Sequence, residues 1–143
     1  MLKNILKSDG GYSILLIRLM VGAVFLSEGI QKFLFPAIRG AGRFEKIGLP
    51  SPEFLGSLVG TTEIIAGSLI LLGFFTRLAA VPLIIIMIAA VATTKIDILN
   101  NQGIWEMFHA MRTDWSMLLG GLFLLIQGGG MASLDQILLR HAK

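Results

Sequence analysis

The sequence predicts an all-α membrane protein: a bundle of four transmembrane helices, with short interfacial helices in its two longer loops. The composition indicates this class, because 55% of the 143 residues are hydrophobic, only 15% are charged and the mean hydropathy is +0.79. Four apolar segments are also long enough to cross a hydrocarbon core of about 30 Å. The chain has no Cys, which excludes disulfide scaffolds, Cys-ligated metal centres and thiol nucleophiles.

The predicted spans make up a single membrane domain over residues 1–143. Lys3 and Lys7 precede the first apolar run, which is too long for a cleaved signal peptide and is therefore expected to remain as a helix. Ser51 is the expected N-cap of the second helix, and Pro52 follows in its first turn. A very short turn separates the second and third spans, so these helices are antiparallel neighbours. The four spans are residues 13–35, 54–75, 78–98 and 115–134.

The two longer connections, residues 36–50 and about 100–114, each follow an odd-numbered span and are therefore expected on the same side of the membrane. Both are amphipathic, which favours short interfacial helices, although a plain loop fits the first connection equally well. Lys and Arg are equally numerous on the two sides, so the positive-inside rule does not decide the orientation. Because the longer connections carry more of the acidic residues, we expect both termini in the cytoplasm.

Ionisable and amide residues inside the predicted spans are informative, because a charged residue there costs about 3 kcal/mol on insertion scales. Such residues normally face the bundle interior in pairs. A carboxylate at the depth of Glu63 needs a cation or a proton, because desolvation disfavours its charged form. Lys32 follows Glu28 by four residues, the favourable order for a helical ion pair. The five residues of this predicted polar intramembrane site are Arg18, Glu28, Lys32, Glu63 and Gln127.

Glycines share the helical faces of these charged residues, which predicts close approach of neighbouring backbones. Glu63 is therefore expected to face protein, and Gln127 to form an interhelical hydrogen bond. Two interpretations of the charged residues stay open at this point: they line a polar cavity, or they only hold helices together. The glycines are Gly22 and Gly29 in the first span, and Gly56, Gly60 and Gly67 in the second.

Histidine is absent from the spans, so no pair of imidazoles within the membrane is available to ligate a haem. We expect no metal site and no covalently bound cofactor. Trp105, His109 and Arg112 lie together in the last connection, where they fit either contact with a quinone headgroup or the anchoring of an interfacial helix. The net charge of +3 favours the lipid bilayer as partner and does not indicate nucleic acid.

Three groups of motifs follow one another over residues 14–95. They are Arg18-Leu19…Gly22…Phe25…Gly29…Lys32-Phe33, then Phe44…Gly48-Leu49-Pro50, then Gly60…Glu63…Gly67…Leu71-Leu72-Gly73…Thr76-Arg77-Leu78-Ala79-Ala80 and Met87. In this order the chain resembles the DoxX family of small bacterial four-helix membrane proteins. The resemblance implies an inner-membrane protein related to small subunits of a thiosulfate:quinone oxidoreductase or linked to oxidative-stress and thiol-handling complexes. It marks Arg18, Lys32, Glu63 and Arg77.

Three functions are compatible with these features. The first is a redox-associated membrane subunit that binds a quinone or docks a redox partner protein, while Glu63 and its cationic neighbours handle the coupled proton. In that case the chain is at most a subunit of a quinone-linked oxidoreductase, because it carries no self-contained catalytic motif. The second is a carrier or channel for a small polar molecule. The third is a non-catalytic assembly subunit, for which the glycines suffice; the same glycines also permit a homo-oligomer.

Overall fold

The computed structural model describes residues 11–141, and over that range it is helical with no strand. The helices are α1 (Ile14–Leu34), α2 (Ala41–Lys46), α3 (Pro52–Leu72), α4 (Thr76–Gln102), α5 (Ile104–Gln127) and α6 (Leu134–His141). Within this part of the chain, α1, α3 and α4 are long and apolar enough to cross a membrane. The all-helical fold is therefore confirmed over the described residues. The terminal residues 1–10 and 142–143, with the predicted start of the chain and its lysines, lie outside the described residues.

The fourth predicted span, residues 115–134, differs from the structure. After Gly103, which has a φ of 90°, α5 begins at Ile104 and continues without interruption to Gln127. The prediction of a separate interfacial helix in residues 100–114 is therefore wrong, because the amphipathic segment and the apolar segment that follows it form one helix. Its polar first half lowers the hydropathy of α5, so that α5 is absent from the helices of the described chain that meet the spanning criterion.

The first long connection contains α2, one of the two structures that its sequence allows. This short helix packs against α3. Gly56 of α3 lies at the contact, since a Cβ on it would be 2.9 Å from the backbone nitrogen of Ala41. Ser51 precedes α3 and Pro52 begins it, as predicted, but Ser51 has a φ of 46° and forms no side-chain capping bond.

The long helices pack as two antiparallel pairs, α1 with α3 and α4 with α5. Contacts of α3 with α4 and of α1 with α5 join the pairs. Each long helix contributes a large, fully buried apolar side chain to the core, and many large apolar side chains lie on the outer surface. This distribution suits a lipid environment, in which the outer faces need no polar covering. One such side chain from each long helix is Phe25, Ile70, Leu83 and Leu124 in turn.

Glycines bring the backbones of α1 and α3 into contact. A Cβ on Gly67 would lie 2.8 Å from the backbone nitrogen of Leu26, and one on Gly29 would lie 2.7 Å from the carbonyl oxygen of Gly60. Gly22 faces Gly67 in the same way, with a distance of 2.9 Å from its added Cβ to the carbonyl oxygen. Any larger residue at these positions would push the two helices apart.

We therefore expect Gly67→Ala to lower the free energy of unfolding by about 1–3 kcal/mol, the usual cost of overpacking. This loss would occur although alanine is the better helix former. Thermal unfolding in detergent micelles, followed by circular dichroism, measures the effect. Gly11→Ala is the control, because nothing lies within 4 Å of a Cβ on Gly11. Equal stability of the two variants would contradict the close contact of α1 with α3.

Candidate functional site

A buried ion pair joins α1 to α3. The Nζ atom of Lys32 lies 2.5 Å from Oε2 of Glu63, and the two side chains are 11% and 3% exposed. Each charged residue follows a glycine by three positions, Gly29 in α1 and Gly60 in α3, so that each lies on the same helical face as its glycine. Because these two glycines are in contact across the helix pair, the charged side chains meet beside them.

A cavity of about 220 Å³ adjoins Lys32 where α1, α2 and α3 meet. Lys32 and Ser57, whose side chains carry hydrogen-bond donors, line this cavity together with the aromatic residue Phe33. Since Lys32 contacts both the cavity and Glu63, it connects the buried carboxylate to this space. The other lining residues are Pro36, Ala41, Glu53 and Gly56.

The carboxylate of Glu28 does not form the predicted pair with Lys32. Instead, Nζ of Lys32 lies 3.5 Å from the backbone carbonyl oxygen of Glu28. The Glu28 carboxylate lies 3.8 Å from the guanidinium group of Arg39, in a pair whose side chains are 40% and 45% exposed. Glu63 offers Lys32 a partner shielded from water, whereas Glu28 stays at the surface. The predicted ion pair between the side chains of Glu28 and Lys32 is therefore wrong. The charge of Glu28 still acts electrostatically on Glu63.

Arg18 lies at the opposite end of the bundle from the ion pair and is only 2% exposed. All three of its guanidinium nitrogens donate hydrogen bonds to backbone carbonyl oxygens. Arg18 thereby joins the last turn of α3 to the segment after α5, and these contacts leave it no role as the partner of Glu63. The acceptors are the carbonyl oxygens of Ile70 (2.9 Å), Leu71 (2.6 Å), Gly129 (3.1 Å) and Ala132.

Asp135 carries a buried carboxylate that the sequence did not reveal. It is 1% exposed, and its carboxylate accepts hydrogen bonds from the backbone N–H groups of Phe75 at 2.7 Å and Thr76 at 3.0 Å. Asp135 therefore caps the first turn of α4, although it belongs to α6, and it interacts electrostatically with Arg18. We call Arg18, Thr76, Ser133 and Asp135 the terminal cluster. An acidic residue just after the glycine-rich residues 128–130 is the sequence signal for such a cap.

Two other residues marked by the sequence lie at the same end as the terminal cluster. Gln127 is the last residue of α5 and is half-buried. Arg77, in the first turn of α4, donates a hydrogen bond of 2.8 Å to the carbonyl oxygen of Ile126. Neither residue contacts the Lys32 cavity, so the predicted polar site is divided between two ends of the bundle.

The three residues for which the sequence allowed either contact with a quinone headgroup or anchoring of a helix lie on the exposed face of α5. Trp105 is 80% exposed, and its ring centroid lies 6.5 Å from that of Phe108. Arg112 donates a hydrogen bond of 2.6 Å to the carbonyl oxygen of His109. None of Trp105, His109 and Arg112 contributes to the ion pair or to the cavity beside Lys32.

A second ion pair connects α4 to α5. The Nζ atom of Lys95 lies 2.9 Å from Oδ2 of Asp114, and the side chains are 12% and 22% exposed.

Over residues 11–141 no group of three or more His, Asp or Glu residues is placed to hold a metal ion. At the buried site, Glu63 offers a carboxylate and Lys32 an ammonium group, and these two groups in contact can hold and exchange a proton.

The sequence of this chain is similar to known proteins over most of its length. The DoxX family model matches residues 13–96, which include both members of the buried ion pair. An uncharacterized membrane protein of Mycobacterium tuberculosis is 51% identical over 97% of this chain and 89% of its own length. A Bacillus subtilis protein named "Putative oxidoreductase CatD" is 28% identical over 90% of this chain and 89% of its own length. No solved structure matches the chain. The chain belongs to the DoxX family of membrane proteins.

Proposed function

We propose that this protein is a membrane subunit of a quinone-linked redox system, in which the Lys32–Glu63 pair handles the proton that accompanies electron transfer. The observation that carries the proposal is the carboxylate of Glu63, 3% exposed inside an apolar helix pair and in contact with the ammonium group of Lys32. A residue this costly to bury usually has a function. The name of the Bacillus subtilis relative supports a redox role.

The lining of the Lys32 cavity fits the headgroup of a quinone. Lys32 and Ser57 offer hydrogen-bond donors for carbonyl oxygens, and Phe33 offers a flat apolar surface. A bound quinone supplies a redox centre that accepts two electrons and two protons. In this scheme a redox partner protein supplies the electrons. In this scheme Lys32 orients the carbonyl group, and Glu63 holds and exchanges a proton through its contact with Lys32.

The proposal includes a four-span arrangement with α5 as the fourth span. The 24 residues of α5 extend over about 36 Å, which is sufficient to cross the hydrocarbon core. Beyond Trp115, α5 exposes large apolar side chains such as Leu119 and Ile126, which suit contact with lipid. We place α2 at the membrane interface and both termini on the cytoplasmic side of the bacterial inner membrane.

Replacing Glu63 with Gln tests this function. Glutamine keeps the size of the side chain and a hydrogen-bond acceptor for Lys32, but it does not exchange a proton near neutral pH. We expect quinone-linked activity of native membranes to fall about a hundredfold, the typical contribution of acid–base catalysis, at an unchanged amount of protein. The measurement is quinone reduction in membranes that contain the variant as the only copy.

Glu106→Gln is the matched control, because Glu106 is an exposed carboxylate on α5 that lines neither the ion pair nor the cavity. We expect this variant to retain full activity. Normal quinone-linked activity of Glu63→Gln, at equal protein level, would remove Glu63 from the mechanism and the proposed function with it.

A further inference from the structure

The space between the ion pair and the terminal cluster is filled by tightly packed apolar groups. Val21, Phe25, Ile70 and Leu124 are at most 2% exposed, and they come from three different helices. In the same layer the backbones of α1 and α3 are in contact at Gly22 and at its facing glycine. This layer of buried apolar side chains separates the carboxylate of Glu63 from the end of the bundle that carries α6.

The terminal cluster closes the same end a second time. Arg18 directs its guanidinium nitrogens to four backbone carbonyl oxygens, and Asp135 accepts hydrogen bonds from two backbone N–H groups. Because these buried charges are used by backbone groups of the protein, they offer no chain of exchangeable protons towards Glu63. We call this end of the bundle the terminal face.

At the opposite end of the bundle, which carries α2, a cavity extends to the ion pair. We call this end the α2 face. Lys32, in contact with Glu63, lines the cavity, and Ser57 and Glu53 line it as exposed residues in the first turns of α3. The exposed pair of Glu28 with Arg39 lies nearby, at the end of α1. Exposure therefore rises step by step from Glu63 through Lys32 to the residues of the cavity mouth.

We propose that Glu63 exchanges protons with one aqueous phase only, that of the α2 face, and that the cavity between Lys32 and Ser57 is the entrance. A proton that arrives from water converts the carboxylate of Glu63 to a carboxylic acid, and the reverse transfer returns it to water. No electron or other reactant takes part in this step. The link to quinone chemistry rests on the proposed function, whereas the one-sided access to water does not.

Single-cysteine labelling tests the access directly, because the chain has no native Cys that would react. Ser57→Cys reports on the cavity mouth, and a water-soluble, membrane-impermeant thiol reagent labels it only where water reaches the thiolate. The reagent is added to intact spheroplasts and, separately, to inside-out vesicles. Glu45→Cys, on the exposed surface of α2, and Arg140→Cys, on the exposed surface of α6, identify the two faces.

We expect Ser57→Cys to be labelled in the preparation that labels Glu45→Cys and to stay unlabelled in the one that labels Arg140→Cys. Ala66→Cys, at a position that is 4% exposed and lies beyond Glu63, should stay unlabelled in both. Labelling of Ser57→Cys from the terminal face, or from neither face, would overturn the proposal, as would labelling of Ala66→Cys. If Ser57→Cys does not fold, Ala41→Cys, at another position in the cavity wall, replaces it.

The same samples separate the access from the proposed function. Blocking Ser57→Cys with a bulky reagent should lower its quinone-linked activity at least about tenfold relative to the unlabelled variant, because loss of acid–base exchange has an effect of this order or larger. Labelling of Arg140→Cys should leave activity unchanged. One-sided labelling without loss of activity would support the access and contradict the redox role, whereas labelling from the wrong face would contradict the access alone.

Discussion

Replacing Arg18 with Gln is expected to lower the free energy of unfolding by about 4 kcal/mol, the size of effect seen when a buried charged group loses its partners. The guanidinium group donates hydrogen bonds to four carbonyl oxygens, of which that of Ile70 also accepts one from the backbone N–H of Gly73 at 3.0 Å. A glutamine amide is shorter and offers a single donor group, so most of these oxygens would lose the hydrogen bond from residue 18. The negative charge of Asp135 would also lose its nearby cation. Thermal unfolding in detergent micelles measures the loss.

Two comparisons make the Arg18 result specific. Arg18→Lys retains the positive charge but not the planar, forked donor group, so we expect it to be destabilised as well. Arg140→Gln removes an exposed arginine of α6 and should leave the melting temperature unchanged. An Arg18→Gln protein as stable as the parent would show that the terminal cluster does not hold α3 to the segment after α5.

Replacing Lys32 with Met is the second change with a large expected effect. It leaves the carboxylate of Glu63 buried without its cation, which costs about 3–5 kcal/mol of stability. In the double variant Lys32→Met/Glu63→Met, apolar side chains replace both charges, and such replacements are often neutral for stability. We therefore expect the double variant to regain most of the melting temperature that the single variant loses. Quinone-linked activity should be lost in both.

This pair of variants separates the two roles that the sequence left open for the buried charges. A double variant that is as unstable as Lys32→Met would indicate that the ion pair holds α1 and α3 together. A stable double variant with full activity would indicate that the pair has no chemical role. Lys95→Met is the comparison for a shallower pair, and it should cost less because Asp114 is 22% exposed.

Much of the α1–α3 pair could be predicted from the sequence. The apolar length of both helices and the glycines on the face of Glu63 required a protein neighbour at that face. The cation that meets Glu63 could not be chosen in this way, because Arg18 and Lys32 share one helical face of α1. That choice depends on the axial alignment of α1 with α3, which the contact of Gly29 with Gly60 determines in the structure.

The second half of the chain was harder to predict, for a physical reason. The length of an apolar segment locates the ends of a helix only when the polar residues lie outside the helix. In α5 they lie inside it, since one continuous helix begins at Ile104 and includes the polar segment. The predicted span ends at residue 134, beyond the end of α5 at Gln127, because residues 128–134 are small or apolar although they do not continue the helix. Asp135 lies outside the last span with either boundary, so the presence of a polar residue inside an apolar span could not identify it.

The cap on α4 also constrains the order in which the protein is completed during synthesis. Asp135 accepts a hydrogen bond from the backbone N–H group of Thr76, although it lies 59 residues further along the chain. The start of α4 therefore leaves the ribosome well before its cap has been synthesised. Asp135 interacts with the turn between α3 and α4 and with the guanidinium group of Arg18. These interactions can therefore form only near the end of translation. A chain that stops before Asp135 retains the apolar sequence of every long helix but leaves this end of the bundle without its final closure.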